Sequence, residues 1–144
     1  MRSSAPKAAG LALLLLSGCG TVKSPTEPPP EGSEGAAFAF SRIQAEVFTP
    51  TCAKAGCHDA ASASAGLVLA AGQSYGNLAG RPSTQNGGLA RVEPGNPEAS
   101  YLLRKLRGDP SITGGRMPLD GPPYLTPEQI EGIAAWVRAG APND

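Results

Sequence analysis

The only histidine of the chain, His58, directly follows a cysteine, and a second cysteine stands a few residues before it. The stretch reads Cys52-Ala53-Lys54-Ala55-Gly56-Cys57-His58. Two thiols followed by an imidazole are the groups by which a polypeptide holds c-type haem, because the thiols add to the two vinyl groups and the imidazole reaches the iron. The usual motif has a shorter gap between the cysteines. We therefore expect the four-residue segment Ala53 to Gly56 to bulge, which small Ala and flexible Gly residues allow.

A second candidate iron ligand lies in the stretch Gly114-Gly115-Arg116-Met117-Pro118. Once Met1 is removed with a leader, Met117 is the only methionine left in the chain. A lone methionine usually fills a core, but this one lies in a Gly/Pro loop and not on an apolar helical face. Iron held on one side by histidine needs a sixth ligand or keeps an open position, and a thioether is a common choice. A second imidazole from the same chain is excluded, because the chain has one histidine.

Three other uses of these residues stay open on the motif alone. Cys52 and Cys57 could form a disulfide in an exported binding or scaffold domain without haem, which export would favour, although this leaves His58 unexplained. Cys52, Cys57 and His58, with Met117, could bind zinc or copper, although adjacent Cys57 and His58 would crowd one small ion. A thiol beside an imidazole could also be a nucleophile pair, but the sequence offers no orienting partner.

Composition limits the other functions. A chain of 144 residues allows about one domain. Its 12 basic and 12 acidic residues balance, so the charge does not indicate a nucleic-acid partner. With 19 Gly, 15 Pro and only 5% aromatic residues, the chain has many turns and a thin core, to which an apolar cofactor would add much.

The N-terminal residues read as an export signal. Residues 1–18 carry Arg2 and Lys7, then an apolar run too short to span a bilayer permanently, and small residues before Cys19. Leu16-Ser17-Gly18-Cys19 resembles the lipobox of bacterial lipoproteins, in which the cysteine is lipidated and becomes the mature N-terminus. Because Asp does not follow Cys19, the resemblance implies anchoring to the outer membrane, on its periplasmic side or at the surface, with the inner membrane as the alternative. A secreted protein cut nearby is the other interpretation.

The composition then divides the rest of the chain. Residues 19–36 comprise the lipidated cysteine and a segment rich in Pro and Glu, which cannot bury a core and reads as a tether. Residues 37–144 form the predicted domain. Ser41 can cap a helix from Arg42 to about Phe48, and Pro50 either ends it or begins a new turn.

The rest of the sequence predicts a long irregular segment followed by two helices. Residues 59–95 predict mostly irregular structure, with one helical turn at Tyr75 and Leu78. Asn96 and Pro97 predict the start of a helix whose last turns hold Arg104, Lys105 and Arg107; helix electrostatics explains this cluster, and a docking patch is the alternative. Thr126, Pro127 and Gln129 predict a capped final helix that ends at Gly140. Within this helix, the low helix propensity of Gly132 should be offset by close contact with another helix.

Together these features resemble the small bacterial cytochrome c domain, class I-like and of the planctomycete type, here with a C-x4-C-H motif. The resemblance covers about residues 40–144. It is carried by the helix entering the cysteine motif, the Met117-Pro118 loop, and the final helix with Trp136 before Gly140-Ala141-Pro142. It implies an all-α, cytochrome c-like fold with long Gly/Pro-rich loops, and terminal helices that cross near Gly132.

The resemblance also implies one covalently bound haem c and a role for each matching residue. Cys52 and Cys57 are the thioether positions, while His58 and Met117 are the axial iron ligands. His/Met ligation raises the reduction potential and leaves no open site on the iron. The expected protein is thus a lipid-anchored electron carrier outside the cytoplasm, with no catalytic residues, whose partners are redox proteins and the membrane.

Overall fold

The computed structural model describes residues 37–144. This part of the chain is rich in helix and contains no β-strand, only isolated bridges, which agrees with the predicted all-α class. The predicted signal peptide (1–18), the lipidation site Cys19 and the tether (19–36) lie outside the described residues. No helix within 37–144 is long and apolar enough to cross a membrane.

Four helices order the domain. Helix α1 comprises Phe40–Ile43 and continues as a π-helical segment, Gln44–Cys52. Helix α2 is Ser74–Leu78, α3 is Tyr101–Arg107 and α4 is Pro127–Arg138. Two short 3-10 turns occupy Ser64–Gly66 and Pro97–Ala99.

Helix α1 is longer than its sequence predicts at both ends. Ser41 does not cap it; instead Asp144 accepts hydrogen bonds from the backbone N–H groups of Phe40 (2.6 Å) and Ser41 (3.1 Å). Pro50 does not end it, because the wider π-helical turns accommodate a ring that would clash in an α-helix. The helix thus reaches Cys52 and delivers this thiol directly from a packed element.

The predicted helix after Asn96 is interrupted at Ser100. Asn96 does cap the first turn, by accepting from the backbone N–H of Ala99 at 3.1 Å. Ser100 is extended, however, and forms a bridge with Ala90, so α3 begins one residue later. The Ser100 hydroxyl donates to the Asn96 carbonyl (2.9 Å) and accepts from the Glu93 N–H (2.8 Å), which stabilises the break.

Helix α4 agrees closely with its prediction. Thr126 and Gln129 form the reciprocal capping box, Pro127 is the first helical residue and Gly140 follows the end with a φ of 96°. The contact at Gly132 differs from the predicted contact with another helix. The ring of Phe38, just before α1, lies within 2.6 Å of where a Cβ on Gly132 would stand, so a side chain and not a crossing helix fills this space.

The hydrophobic core lies between the start of α1, α3 and α4. The Phe40 ring centroid is 5.4 Å from that of Trp136 and 5.2 Å from that of Tyr75. Buried residues of the core include Ile43, Val47, Phe48, Leu69, Leu78, Val92, Leu103, Leu106, Ile133, Trp136 and Val137. Packing on this side leaves the end of the α1 extension and one side of α3 free to line a cavity.

Candidate functional site

Cys52, Cys57, His58 and Met117 all line one cavity of about 480 Å³. This volume lies in the range of about 300–1,000 Å³ found for cofactor and small-molecule sites. Much of the wall is apolar and comes from three separate parts of the chain, with side chains from Leu67, Leu69, Leu78, Leu102 and Leu106. The sequence motif and the Met117 loop, about sixty residues apart, therefore contribute to the same site.

The four-residue gap between the cysteines folds into a compact turn. The Cys57 N–H donates to the Lys54 carbonyl at 2.9 Å, and the His58 N–H donates to the Cys52 carbonyl at 3.1 Å. Gly56 has a φ of 81°, a backbone conformation that glycine adopts without strain. The bulge predicted from the spacing thus closes on itself, and it returns the histidine backbone to the first cysteine.

Hydrogen bonds from the following residues hold this turn. The Ser62 hydroxyl accepts from the Gly56 N–H at 2.9 Å, and the Ser62 N–H donates to the Asp59 carboxylate at 2.8 Å. These bonds with Ser62 lower the pKa of Asp59 below its usual range. The Ser64 N–H donates to the Cys57 carbonyl at 2.9 Å. Cys57 and His58 therefore lie in a loop that these hydrogen bonds stabilise.

The ring of His58 is oriented by a backbone carbonyl. Its Nδ1 lies 3.1 Å from the carbonyl oxygen of Leu67, which can only accept a hydrogen bond. Nδ1 must therefore carry the proton, and in the neutral ring the lone pair is on Nε2. This is the arrangement by which proteins prepare a histidine to bind a metal, since the second-shell bond fixes both tautomer and ring orientation. The His58 carbonyl in turn accepts from the Leu69 N–H at 2.7 Å.

Both cysteines of the cavity are free thiols. Burial raises the pKa of the Cys52 thiol to about 12, despite the opposing effect of the nearby Lys54 cation. A thiol with so high a pKa is a poor nucleophile and a poor thiolate ligand at neutral pH. The raised pKa therefore argues against the nucleophile interpretation of Cys52.

Met117 is half-buried and packs against the edge of the core. Its N–H donates to the Lys105 carbonyl at 2.9 Å, which ties the loop to α3. Farther along the same loop, Asp120 forms an ion pair with Lys54 at 3.0 Å. Lys54 lies between the two cysteines in the sequence, so this exposed pair connects the motif turn to the Met117 loop.

The basic residues at the end of α3 do not form a shared exposed patch. Arg104 donates to the Glu98 carbonyl and Arg107 pairs with the Glu98 carboxylate at 2.9 Å. Lys105, by contrast, is only 7% exposed and lines the cavity. This position in the cavity was not predicted from the sequence, although the spacing of Lys105 four and three positions from Tyr101 and Leu102 places it on the buried face of the helix.

A compact zinc or copper site is not formed by the described residues. Between 37 and 144, His, Cys, Asp and Glu side chains do not assemble in groups of three or more that could hold a metal ion. Cys52, Cys57 and His58 nevertheless line the same cavity, so one large ligand could reach each of them.

No protein family, curated protein or solved structure was found to match this chain. The functional interpretation therefore depends on the geometry of the cavity and on the chemistry of the residues that line it.

Proposed function

We propose that the protein is a lipid-anchored c-type cytochrome that carries single electrons outside the cytoplasm through one covalently bound haem. The observation that supports this most strongly is the His58 ring, whose Nδ1 is engaged by the Leu67 carbonyl while the ring lines the cavity shared with Cys52, Cys57 and Met117. A disulfide-bonded scaffold would need neither the oriented imidazole nor the cavity. In this proposal the helices form a cytochrome c-like fold with long Gly/Pro-rich loops.

Each of the four residues has a distinct task. Cys52 and Cys57 would hold the haem through thioether bonds, and a neutral, partly buried thiol such as Cys52 is compatible with that end state. His58 would bind the iron through Nε2, and Met117 would bind it through its sulfur. The haem itself supplies the chemistry, which is the reversible gain and loss of one electron.

The chain's own residues set the conditions for that chemistry. Leu67, Leu69, Leu102 and Leu106 line the site with apolar groups. Around a bound haem they would limit contact with water, which would disfavour the extra charge of the oxidised form and raise the reduction potential. With both His58 and Met117 as ligands, no position on the iron would be left for a substrate. The proposed activity is therefore electron transfer between proteins, not catalysis.

The experiment that tests the proposal is replacement of Met117. Met117→Ala, produced in a bacterial host with c-type haem maturation, should lose the sulfur-to-iron charge-transfer band in the far red of the oxidised spectrum, because no other methionine sulfur remains once Met1 is removed with the leader. The reduction potential should fall as well, since a neutral thioether favours the reduced iron. Leu119→Ala is the matched control: Leu119 also lines the cavity but is 70% exposed and has no sulfur to bind the iron, so this variant should keep the band. A band that survives in Met117→Ala would assign Met117 to packing.

Anchoring is proposed from the lipobox-like sequence before Cys19, which lies outside the described residues. Cys19→Ser should remove the site of acylation and release the protein from the membrane fraction into the soluble fraction, because stable attachment requires the acyl chains on this residue. Fractionation followed by detection of the protein measures the outcome. A serine variant that stays with the membranes would point to a different attachment.

A further inference from the structure

The wall of the cavity carries two cations that have no carboxylate partner. Lys105 donates from Nζ to the carbonyl of Thr113 at 2.8 Å, which satisfies one of its three donors with a neutral group. Arg91 donates only to backbone carbonyls, those of Asn77 at 3.0 Å, Gly66 at 2.9 Å and Ala65 at 3.4 Å. The four ion pairs found among residues 37–144 involve neither of them.

A buried ammonium group without a counter-ion is costly, because the low dielectric of the interior strengthens the penalty for an uncompensated charge. Lys105 is 7% exposed, so water compensates it poorly. The one carboxylate that lines the same cavity, Asp120, already pairs with Lys54. Desolvation and the neighbouring Arg81 lower the pKa of Arg91, as expected for a cation that lacks an acidic partner. The positive charges of Lys105 and Arg91 therefore favour the binding of an anion inside the cavity.

Two further residues that line the cavity have hydroxyl protons available for hydrogen bonds. The Ser83 hydroxyl, which is buried, accepts from the N–H groups of Gln85 and Asn86 at 3.2 Å each, and no acceptor for its proton is found among the described residues. The hydroxyl of Tyr101 accepts from the Thr113 N–H at 2.8 Å, so its proton is also free to be donated. Thr113 is thus fixed from both sides, by Lys105 and by Tyr101.

From this arrangement we infer that Ser83, Arg91, Tyr101 and Lys105 form an anion subsite that binds carboxylate groups of the molecule occupying the cavity, with Lys105 as its charged centre. The inference builds on the proposed function, in which those carboxylates are the two propionates of the haem. The apolar leucines would hold the ring, while the polar wall would hold its acidic edge. The shared chemistry is that of an apolar molecule bearing carboxylate, and another hydrophobic acid would satisfy it too.

Lys105 then acts as a positioning residue that also tunes the reduction potential. A cation held in a low-dielectric site opposes the extra positive charge of the oxidised iron, and it offsets the negative propionates that would stabilise that state. Removing the charge should lower the midpoint potential. Surface charges are screened by water and salt, so removing one of them should matter much less.

The test compares three variants of the full chain, loaded with haem in the maturation host. Lys105→Met removes the charge at similar size, Lys105→Arg keeps it, and Arg107→Met removes one charge from the exposed end of the same helix. The midpoint potential should fall in Lys105→Met by several-fold more than in Arg107→Met, and Lys105→Arg should restore most of the difference. Equal shifts in Lys105→Met and Arg107→Met would overturn the subsite, and far-ultraviolet circular dichroism verifies that the variants are folded.

A haem-free wild-type protein would contradict the proposed function before any variant is made, and the subsite is then tested by calorimetry with laurate and dodecanol. Tighter binding of laurate than of dodecanol, with the preference lost in Lys105→Met, would support an anion subsite for another apolar acid. Equal binding of the two probes, or binding of neither, would overturn it.

Discussion

Replacing His58 with alanine is expected to abolish the six-coordinate, low-spin haem spectrum of the protein. His58 is the only histidine, so no other imidazole of the chain can take its place. Its ring is also held in the ligand tautomer by the Leu67 carbonyl at 3.1 Å, a bond of the kind whose loss typically reduces metal affinity by about 10- to 100-fold. Absorption spectra of the oxidised and reduced forms measure the effect.

Two controls make this result specific. Lys54→Ala changes the same turn, but Lys54 does not line the cavity and its exposed side chain pairs with Asp120, so the low-spin spectrum should remain. Imidazole added to His58→Ala should restore the low-spin spectrum by occupying the space that the ring leaves. Retention of the wild-type spectrum in His58→Ala without added imidazole would show that another group binds the iron.

The second large effect is on stability, and it concerns Trp136. The indole is fully buried, its Nε1 donates to the Pro142 carbonyl at 2.8 Å, and its ring packs on Phe40. Removing an aromatic side chain from a core costs about 3–5 kcal/mol of the free energy of unfolding. Trp136→Ala should therefore lose a large part of the stability of so small a domain, whose total is about 5–15 kcal/mol.

The measurement is denaturant unfolding of the haem-loaded protein, followed by circular dichroism. Trp136→Phe keeps much of the ring and loses the hydrogen bond to Pro142, so it should be destabilised less than the alanine variant. Arg138→Ala, on the exposed side of the same helix, should change the stability by no more than about 0.5 kcal/mol. A Trp136→Ala variant as stable as Arg138→Ala would place the tryptophan outside the structural core.

The sequence predicted those parts of the fold that depend on local interactions. The start of α4 is one example, because Thr126, Pro127 and Gln129 satisfy the first backbone donors among themselves. The turn of helix at Tyr75 and Leu78 is another. Neighbouring residues suffice to define such elements, so their patterns can be read without knowledge of the tertiary structure.

The parts that were not predicted depend on distant residues. Ser41 loses the capping role because Asp144, more than a hundred positions away, supplies the acceptors. The break at Ser100 depends on its pairing with Ala90 and Glu93. Pro50 is tolerated because the helix widens there, and Gly132 is filled by Phe38. None of these partners follows from the local pattern of charge or hydrophobicity.

The candidate site shows the same division. Residue types singled out Cys52, Cys57, His58 and Met117, and the structure places all four on one cavity. The bond from His58 to Leu67 and the turn that brings His58 back to Cys52 emerge only from the fold. The charge pattern groups Lys105 with its neighbours Arg104 and Arg107 at the end of a helix. Its burial against the cavity depends on how α3 packs, which the local sequence does not specify.

The central claim is that the chain holds haem covalently through Cys52 and Cys57. The most direct measurement is the intact mass of the protein from a c-type maturation host after complete denaturation, combined with its alkaline pyridine spectrum. We expect a chain that is heavier by one haem, that retains the haem on extraction into acidic organic solvent, and that has an α-band at the position typical of two thioether bonds. A denatured chain with the mass of the unmodified polypeptide and no haem band would contradict it.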